Sequence, residues 1–239
     1  MYNYLHIGQA QNLTATKDRK IYRILEILPG FLAWLTLILI IALSFLAPVF
    51  MAVFIIVFDI YWLIKTLYLS FHLRISYNRL RENLKISWLE KLNKLQATSY
   101  KLQALRSWQD INHLIFLPLY KEDLALVSAT LEGLLRSNYP KEKMIVVLCW
   151  ESRGGEATEM VVREVEKTYS QKFYRFVSVM HPADLPNELP GKGSNTAYAA
   201  QVVKDKIIDP FGINYSNILV SNFDVDTFVF PEYFGILTY

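Results

Sequence analysis

The sequence has a single cysteine, no internal repeat and no low-complexity tract. Cys149 has no second cysteine to pair with, which excludes an internal disulfide framework and fits a reducing compartment. Charge is also missing from part of the chain: residues 31–47 carry none, and residues 49–69 carry only Asp59 and Lys65. Each of these two runs is about long enough to cross a hydrocarbon core as a helix.

These apolar runs predict a two-helix transmembrane hairpin over residues 21–70, with a tight turn at Pro48. Two buried helices of a soluble domain are the alternative, although adjacent uncharged runs of this length are rare in soluble domains. A secretory signal peptide is disfavoured, because the first run starts late and a second run follows it.

Basic residues flank the predicted hairpin on both sides. Residues 17–23 contain four basic side chains, and residues 65–106 contain nine basic and two acidic ones. Lys and Arg next to membrane spans tend to stay in the cytoplasm. We therefore expect a multi-pass protein of the inner or plasma membrane whose soluble domain is cytoplasmic, with its basic flanks against lipid head groups.

The C-terminal half of the chain is acidic, although the whole chain has a formal charge of +3. Residues 109–239 contain 17 acidic and 12 basic side chains, which is a net charge of −5. This charge argues against a nucleic-acid partner for the soluble part.

Four parts are expected along the chain. They are a polar N-terminal segment at 1–20, the hairpin at 21–70, a basic amphipathic juxtamembrane helix at 71–110 and an α/β domain at 111–239.

In the juxtamembrane part, Leu80, Leu84, Trp88 and Leu92 recur every four residues, which predicts one helix over residues 77–106. That helix would lie either in the membrane interface or against the soluble domain.

Short apolar runs alternate with amphipathic segments after residue 113. They predict strands at 114–119, 144–149, 174–179 and 217–221, and helices at 122–136, 156–168 and 194–204. This alternation indicates an α/β fold with a mostly parallel sheet. Ligand-binding residues are expected at the carboxyl ends of its strands.

Two carboxylates follow the fourth predicted strand. Asp224 and Asp226 are separated by one residue, so both can reach one hard divalent cation, Mn²⁺ or Mg²⁺. Apolar residues precede and follow the pair, and unpaired charges are costly in such surroundings. The pair therefore predicts a metal site that also binds a nucleotide diphosphate, with solvated turn carboxylates as the alternative.

A Gly-Lys-Gly turn at residues 191–193 precedes the last predicted helix. It is not a phosphate-binding P-loop, because Pro186 and Gly193 stand where that motif needs Gly and Ser or Thr. Backbone N–H groups at the start of the helix and the Lys192 ammonium could still face an anionic diphosphate. The alternative is that the glycines only begin the helix.

Four short motifs occur together in the C-terminal half. They are Leu-Pro-Leu-Tyr-Lys-Glu at 117–122, Ser-Asn-Tyr-Pro at 137–140, Gly-Lys-Gly-Ser-Asn at 191–195 and Asp-Val-Asp-Thr at 224–227. Their order and rough spacing resemble those of the processive and membrane-bound glycosyltransferases of family two, which have a GT-A type fold. The resemblance covers residues 114–234 and implies a GT-A-like, Rossmann-like sheet that the chain contains only in part.

The resemblance also implies a site for a nucleotide-sugar donor. Its donor-binding residues would be Pro118, Tyr120, Glu122, Glu151, Lys192 and Asp224, with Asp224 and Asp226 as metal ligands. Glu151 would contact the base or ribose; a surface charge before a flexible turn is the alternative. The chain departs from the family at 149–152, where Cys-Trp-Glu-Ser replaces the usual Asp-Asp-Gly-Ser, which leaves the nucleotide open.

The expected function is that of a metal-dependent, inverting hexosyltransferase in polysaccharide biosynthesis. It would transfer a sugar from a nucleotide-diphosphate sugar to a glycan or lipid-linked acceptor. The general base is expected beyond Tyr239, so the chain is interpreted as a fragment that lacks the acceptor half and is inactive alone.

Two other functions are compatible with the sequence. One is a non-catalytic membrane protein with a degenerate transferase domain. The other is a nucleotidyltransferase, whose Gly-rich loop would belong after the first strand, where Tyr-Lys-Glu-Asp stands at 120–123.

Overall fold

The structure is a computed structural model that describes residues 9–99, 107–185, 188 and 190–239. The chain divides into two units, Met1–Asn78 and Arg79–Tyr239. The first contains two long apolar helices, and the second contains a parallel sheet with helices on both faces.

Helices α1, Thr16–Leu46, and α2, Pro48–Asn83, are each long and apolar enough to cross a membrane. Their apolar side chains are exposed rather than packed against each other. A soluble domain would bury such surfaces, so the helices are compatible with a membrane anchor. The turn predicted at Pro48 consists of one residue, Ala47, between the two helices. Pro48 is the first residue of α2, a position where the backbone N–H has no partner within the helix, so a proline is tolerated there.

The predicted boundary of the N-terminal segment differs from the structure. Helix α1 begins at Thr16, within the segment predicted to be polar. Before the helix begins, Ala10 N–H donates a hydrogen bond to the carboxylate of Glu26 in α1 (2.9 Å). Residues 1–8 of that segment lie outside the described residues.

The sheet of the second unit has four strands, all parallel. They are β1, Asn112–Leu119, β2, Met144–Glu151, β3, Arg175–His181, and β4, Ile218–Asn222. The order is β3-β2-β1-β4, so all four carboxyl ends lie at one edge. The four predicted strands are confirmed, each to within two residues at either end, and so is the α/β class.

Helices cover both faces of this sheet. They are α4, Leu124–Leu135, α5, Gly155–Tyr169, α6, Lys192–Val203, and the short α7, Tyr233–Thr238. The three longer ones match the predicted helices. Helix α4 begins where the Asp123 carboxylate accepts from Leu126 N–H (2.8 Å), which satisfies one of the free donors of its first turn.

Alternate residues of β1 contribute to two separate cores, as the two-residue period of a strand requires. Leu117 packs with Leu131 of α4 and Phe234 of α7 on one face. Phe116 packs with Ala199 of α6 on the other face. Because helices cover both faces, the strands are apolar along nearly their whole length, as parallel strands usually are.

The single helix predicted over residues 77–106 is interrupted in the structure. Helix α2 ends at Asn83, a turn follows, and helix α3 is Trp88–Ser99, while residues 100–106 lie outside the described residues. The turn is closed by hydrogen bonds from Lys85 N–H to Glu82 (3.1 Å) and from Ile86 N–H to Asn83 (3.2 Å). The four-residue apolar period continues across this turn, which is why the sequence pattern did not reveal it.

Helix α3 packs against the α/β domain, which was one of the two placements predicted for it. The side chains of Trp88 and Leu92 are buried, and the Trp88 ring meets the Tyr239 ring edge to face at 5.1 Å. Gly235 of α7 makes this approach possible, because a Cβ there would lie 3.0 Å from the Trp88 Cβ.

The Glu232 carboxylate holds the start of α3. It accepts hydrogen bonds from Trp88 N–H (2.9 Å) and Leu89 N–H (3.2 Å), and from the Asn138 side-chain amide (2.7 Å). A carboxylate at a helix N-terminus also interacts favourably with the helix dipole. Glu232 therefore joins α3 to the loop that precedes α7.

Replacing Glu232 with alanine is expected to lower the free energy of unfolding by about 2 kcal/mol, because a charged cap and three hydrogen bonds are lost. Thermal unfolding of the full chain in detergent, followed by tryptophan fluorescence, measures the change. Glu232→Gln keeps one carbonyl acceptor and should lose about half as much. An alanine variant as stable as the wild type would show that this contact contributes nothing.

Candidate functional site

A cavity of about 460 Å³ lies at the edge of the sheet where the strands end. All seven site residues predicted from the sequence line it: Pro118, Tyr120, Glu122, Glu151, Lys192, Asp224 and Asp226. They come from segments far apart in the chain and meet because parallel strands share one carboxyl edge.

The loop after β1 forms one wall of the cavity and is held by its own side chains. Glu122 accepts hydrogen bonds from Tyr120 N–H (2.7 Å) and Lys121 N–H (3.0 Å). The Tyr120 carbonyl accepts from the Thr158 hydroxyl of α5 (2.7 Å). Gly154 lies so close to this carbonyl that a Cβ would collide with it. Glu122 therefore shapes the cavity wall rather than offering a free carboxylate.

Glu151 ends β2 and is buried, with 5% of its surface exposed. Its carboxylate pairs with the Arg153 guanidinium, which balances a buried negative charge. The same guanidinium lies 5.7 Å from the centre of the Tyr120 ring. A carboxylate, a guanidinium and an aromatic ring thus form one end of the cavity.

Lys192 is the first residue of α6, and its ammonium contacts the Asp224 carboxylate across the cavity. One helical turn later, Asn195 also lines the cavity and is buried, with 2% of its surface exposed. Its amide nitrogen donates to the Cys149 carbonyl of β2 (2.9 Å). The start of α6 therefore places a cation and an amide on one cavity wall.

Asp224 and Asp226 lie just past β4, on either side of the buried Val225. The Val225 carbonyl accepts a hydrogen bond from the Thr130 hydroxyl of α4, and Thr227 N–H donates to the Asp224 carbonyl (2.9 Å). These contacts anchor the backbone between the two carboxylates. Both side chains remain exposed, and that of Asp224 is 69% exposed.

The surroundings of the pair differ from the apolar environment predicted for it. Phe228 and Phe230, which suggested burial in the sequence, are themselves exposed, so no burial cost forces the carboxylates to bind a cation. Among the described residues no group of three or more His, Cys, Asp or Glu side chains could hold a metal ion. A cation on Asp224 and Asp226 would need further oxygen ligands from its substrate.

The sequence reasoning did not assign Arg153 or Asn195 to the site. Asn195 could have been found from its spacing, since it stands one helical turn after Lys192 and residues at i and i+3 share a helix face. Arg153 had no such signal, because its pairing with Glu151 depends on a local turn after β2.

Three other reactive side chains do not line the cavity. His113 is the second residue of β1, at the opposite edge of the sheet, and His181 ends β3, where its Nε2 lies 3.0 Å from the Glu188 carboxylate. Cys149 is buried, and burial raises the pKa of its thiol to about 12, so the thiol stays protonated. These groups are not candidates for the chemistry of the cavity.

Comparisons of the chain with family models, with curated proteins and with solved structures found no match.

Proposed function

We propose that this chain binds the donor of a membrane-anchored, inverting glycosyltransferase with a GT-A type fold. The donor would be a nucleotide-diphosphate sugar, and the acceptor a glycan or a lipid-linked sugar. The observation that supports this most is a cavity at the carboxyl edge that gathers residues of three of the four motifs, those at 117–122, 191–195 and 224–227, together with Glu151. Its volume of about 460 Å³ is in the range of cavities that take nucleotide-sized ligands.

The cavity lining has four acidic and two basic side chains, so a nucleotide diphosphate would need the two cations and a metal ion to balance its charge. The Lys192 ammonium offers a point charge to phosphate oxygens. The ring of Tyr120 and the paired Glu151 and Arg153 offer stacking and hydrogen bonding for a nucleoside. The phosphates would therefore lie toward α6 and β4, and the nucleoside toward the ends of β1 and β2.

A divalent cation fits Asp224 and Asp226. Both carboxylates supply hard oxygen ligands on the open side of the cavity, and Asp224 already faces a cation, the Lys192 ammonium. When bound, Mn²⁺ or Mg²⁺ would neutralise charge on the leaving diphosphate. Lys192 would move its ammonium from Asp224 to a phosphate oxygen as the donor binds.

Inversion requires the acceptor hydroxyl to attack the sugar from the side opposite the diphosphate, and a general base to take its proton. Among the described residues that line the cavity, each carboxylate has another role. Glu122 holds the β1 loop and Glu151 is paired with Arg153, while Asp224 and Asp226 would hold the cation. The cavity thus contributes donor binding and leaving-group stabilisation.

The two apolar helices would serve as a multi-pass anchor of the inner or plasma membrane. The basic residues at 17–23 and 65–106 would keep the α/β domain on the cytoplasmic side, where nucleotide-sugars are made. Anionic lipid head groups would meet those residues.

Titration calorimetry on the full chain in detergent tests the proposal. Uridine, guanosine, adenosine, cytidine and thymidine diphosphates would each be titrated with Mn²⁺ and again with EDTA. At least one should bind with Mn²⁺, and its affinity should fall at least tenfold with EDTA, since a cation held by Asp224 and Asp226 would neutralise charge on the phosphates. Binding of none of them would contradict the proposal and favour a non-catalytic domain. The matching nucleoside triphosphates would be titrated in parallel, and tighter binding of a triphosphate would indicate a nucleotidyltransferase.

A further inference from the structure

The apolar run of α2 contains one charged side chain that the structure leaves without a partner. Residues 49–69 carry only two charges, Asp59 and Lys65. The Lys65 ammonium lies 4.7 Å from the centre of the Trp62 ring and 5.7 Å from that of Tyr61, and aromatic rings are favourable partners for a cation. The Asp59 side chain is exposed, and among the described residues it has no hydrogen bond and no ion pair.

Asp59 stands at the centre of this run. Ten residues of the run precede it and ten follow it, which is about 15 Å of helix in each direction. The hydrocarbon core of a bilayer is about 30 Å thick, so the proposed anchor would hold Asp59 at the midplane. Its short side chain cannot reach the head groups from there, whereas a lysine side chain is long and flexible. Ionisable groups at this depth nearly always face other protein groups or water.

The two apolar helices, all of whose residues are described, do not supply that contact themselves. Helix α1 carries no charge over residues 31–47, and the hydroxyls of Thr36 and Ser44 each donate to a carbonyl of their own helix (2.7 Å). Lys65 is six residues from Asp59, which is about 240° around α2, so the two charges lie on different faces. A group from another polypeptide is therefore needed opposite Asp59.

The face of α2 around Asp59 is suited to close contact with another helix. Ala52 and Thr66 stand seven residues before and seven residues after Asp59, which is two helical turns away on the same face. Both are exposed, and the Thr66 hydroxyl donates to the Trp62 carbonyl of its own helix (2.8 Å). Membrane helices approach each other through small residues such as Ala and Thr and are joined by polar side chains. Ala52, Asp59 and Thr66 are called the Asp59 face below.

We propose that the Asp59 face of α2 pairs with the same face of a second copy of this chain, through mutual hydrogen bonds between the two Asp59 carboxyl groups. A carboxyl group without a cation is neutral in hydrocarbon, and a neutral carboxyl group is both a donor and an acceptor. Two copies in one membrane have the same orientation, so a two-fold axis along the membrane normal brings the two Asp59 side chains together at one depth. A basic helix from another protein would instead have to place a second charge at the midplane.

The pairing rests on the membrane anchor of the proposed function and adds a partner for that anchor. Energy transfer between donor-labelled and acceptor-labelled full chains in liposomes tests it, with the protein-to-lipid ratio varied to give a dissociation constant. Asp59→Leu should weaken self-association about tenfold, the effect of about two hydrogen bonds between membrane helices. This variant makes the run more apolar, so it stays in the bilayer.

Two further variants serve as controls for Asp59→Leu. Asp59→Asn should associate within about threefold of the wild type, because an amide also donates and accepts. Lys65→Leu removes the other charge of the same run and should leave self-association unchanged.

Four results would overturn the pairing. They are a wild type that stays monomeric in the bilayer, equal association of the wild type and Asp59→Leu, weakening by Asp59→Asn as large as that by Asp59→Leu, and weakening of the same size by Lys65→Leu. The first would indicate that Asp59 meets a basic helix of another protein. Flotation of the liposomes after carbonate extraction tests the anchor separately. Chains released by carbonate would reject the anchor and the pairing with it, whereas inserted monomers would reject only the pairing.

Discussion

Replacing Asp224 with alanine is expected to weaken Mn²⁺-dependent binding of nucleoside diphosphates about 100-fold, or about 3 kcal/mol, because one of the two proposed protein ligands of the cation would be lost. Asp226→Ala should have a similar effect. Calorimetry on the full chain with Mn²⁺ measures both changes.

When EDTA replaces Mn²⁺, Asp224→Ala is expected to change the affinity for the diphosphate in the opposite direction. The Lys192 ammonium contacts Asp224, so removing that carboxylate frees a positive charge for phosphate. Binding of the diphosphate without metal should then become a few-fold tighter, as one exposed charge pair is worth about 0.2–1 kcal/mol. This reversal separates loss of a metal ligand from loss of the folded state, which would weaken binding in both conditions.

Asp209→Ala is the matched control for Asp224→Ala. Asp209 is also an exposed carboxylate paired with a lysine, Lys204 (2.9 Å), but it does not line the cavity. Its replacement should leave binding unchanged with or without Mn²⁺. If Asp224→Ala and Asp226→Ala behave like Asp209→Ala, the cavity does not use its carboxylates for a cation, and a non-catalytic domain becomes the better description.

Acid is expected to destabilise the α/β domain through His113. This side chain is fully buried between the rings of Tyr139 (4.6 Å) and Phe234 (4.8 Å), and its Nε2 lies 2.9 Å from the Thr238 hydroxyl. Burial lowers the pKa of His113 to about 4 from the ordinary value of 6.5. The unfolded chain therefore binds a proton at a higher pH than the folded chain does.

The sign of the pH effect follows from that difference. Above about pH 6.5 the imidazole is neutral in both states, and its contribution to stability is fully present. As the pH falls from about 6.5 to about 4, the unfolded state takes up the proton first, and about 3 kcal/mol of stability is lost. Denaturant unfolding of the full chain at a series of pH values measures this slope.

His113→Phe should flatten the slope, because a phenyl ring fills the aromatic site and does not titrate. Thr238→Val removes the hydrogen-bond partner and keeps the burial, so it should keep the slope. An unchanged slope in His113→Phe would mean that carboxylates elsewhere cause the acid sensitivity.

Patterns of short range predicted the sheet and the cavity well. Each strand of the α/β domain is an apolar run bounded by polar residues, and the rule that parallel strands share a carboxyl edge predicts that Glu151, Lys192 and Asp224 lie together. The break between α2 and α3 was missed, because Leu84 and Trp88 keep a helical period across the turn.

The conformations of the turns and loops after the strands were not readable from the sequence. The burial of Glu151 and its pairing with Arg153 depend on how the turn after β2 folds back. The exposure of Asp224 depends on where the chain runs after β4, because Phe228 and Phe230 lie on the surface although their apolar character suggested a core. Hydropathy gives the preference of a side chain for burial, but the path of the chain determines whether that side chain is buried.

The contact between Glu232 and the start of α3 also has a consequence for biosynthesis. Trp88 and Glu232 are 144 residues apart, and ribosomes add about 5–20 residues per second, so α3 is made roughly 7–30 s before the carboxylate that caps it. During that interval the first turn of α3 has free N–H groups, and the buried faces of Trp88 and Leu92 have no α7 to cover them. Nascent chains of this protein therefore expose the apolar face of α3 until Glu232 and α7 have been synthesised.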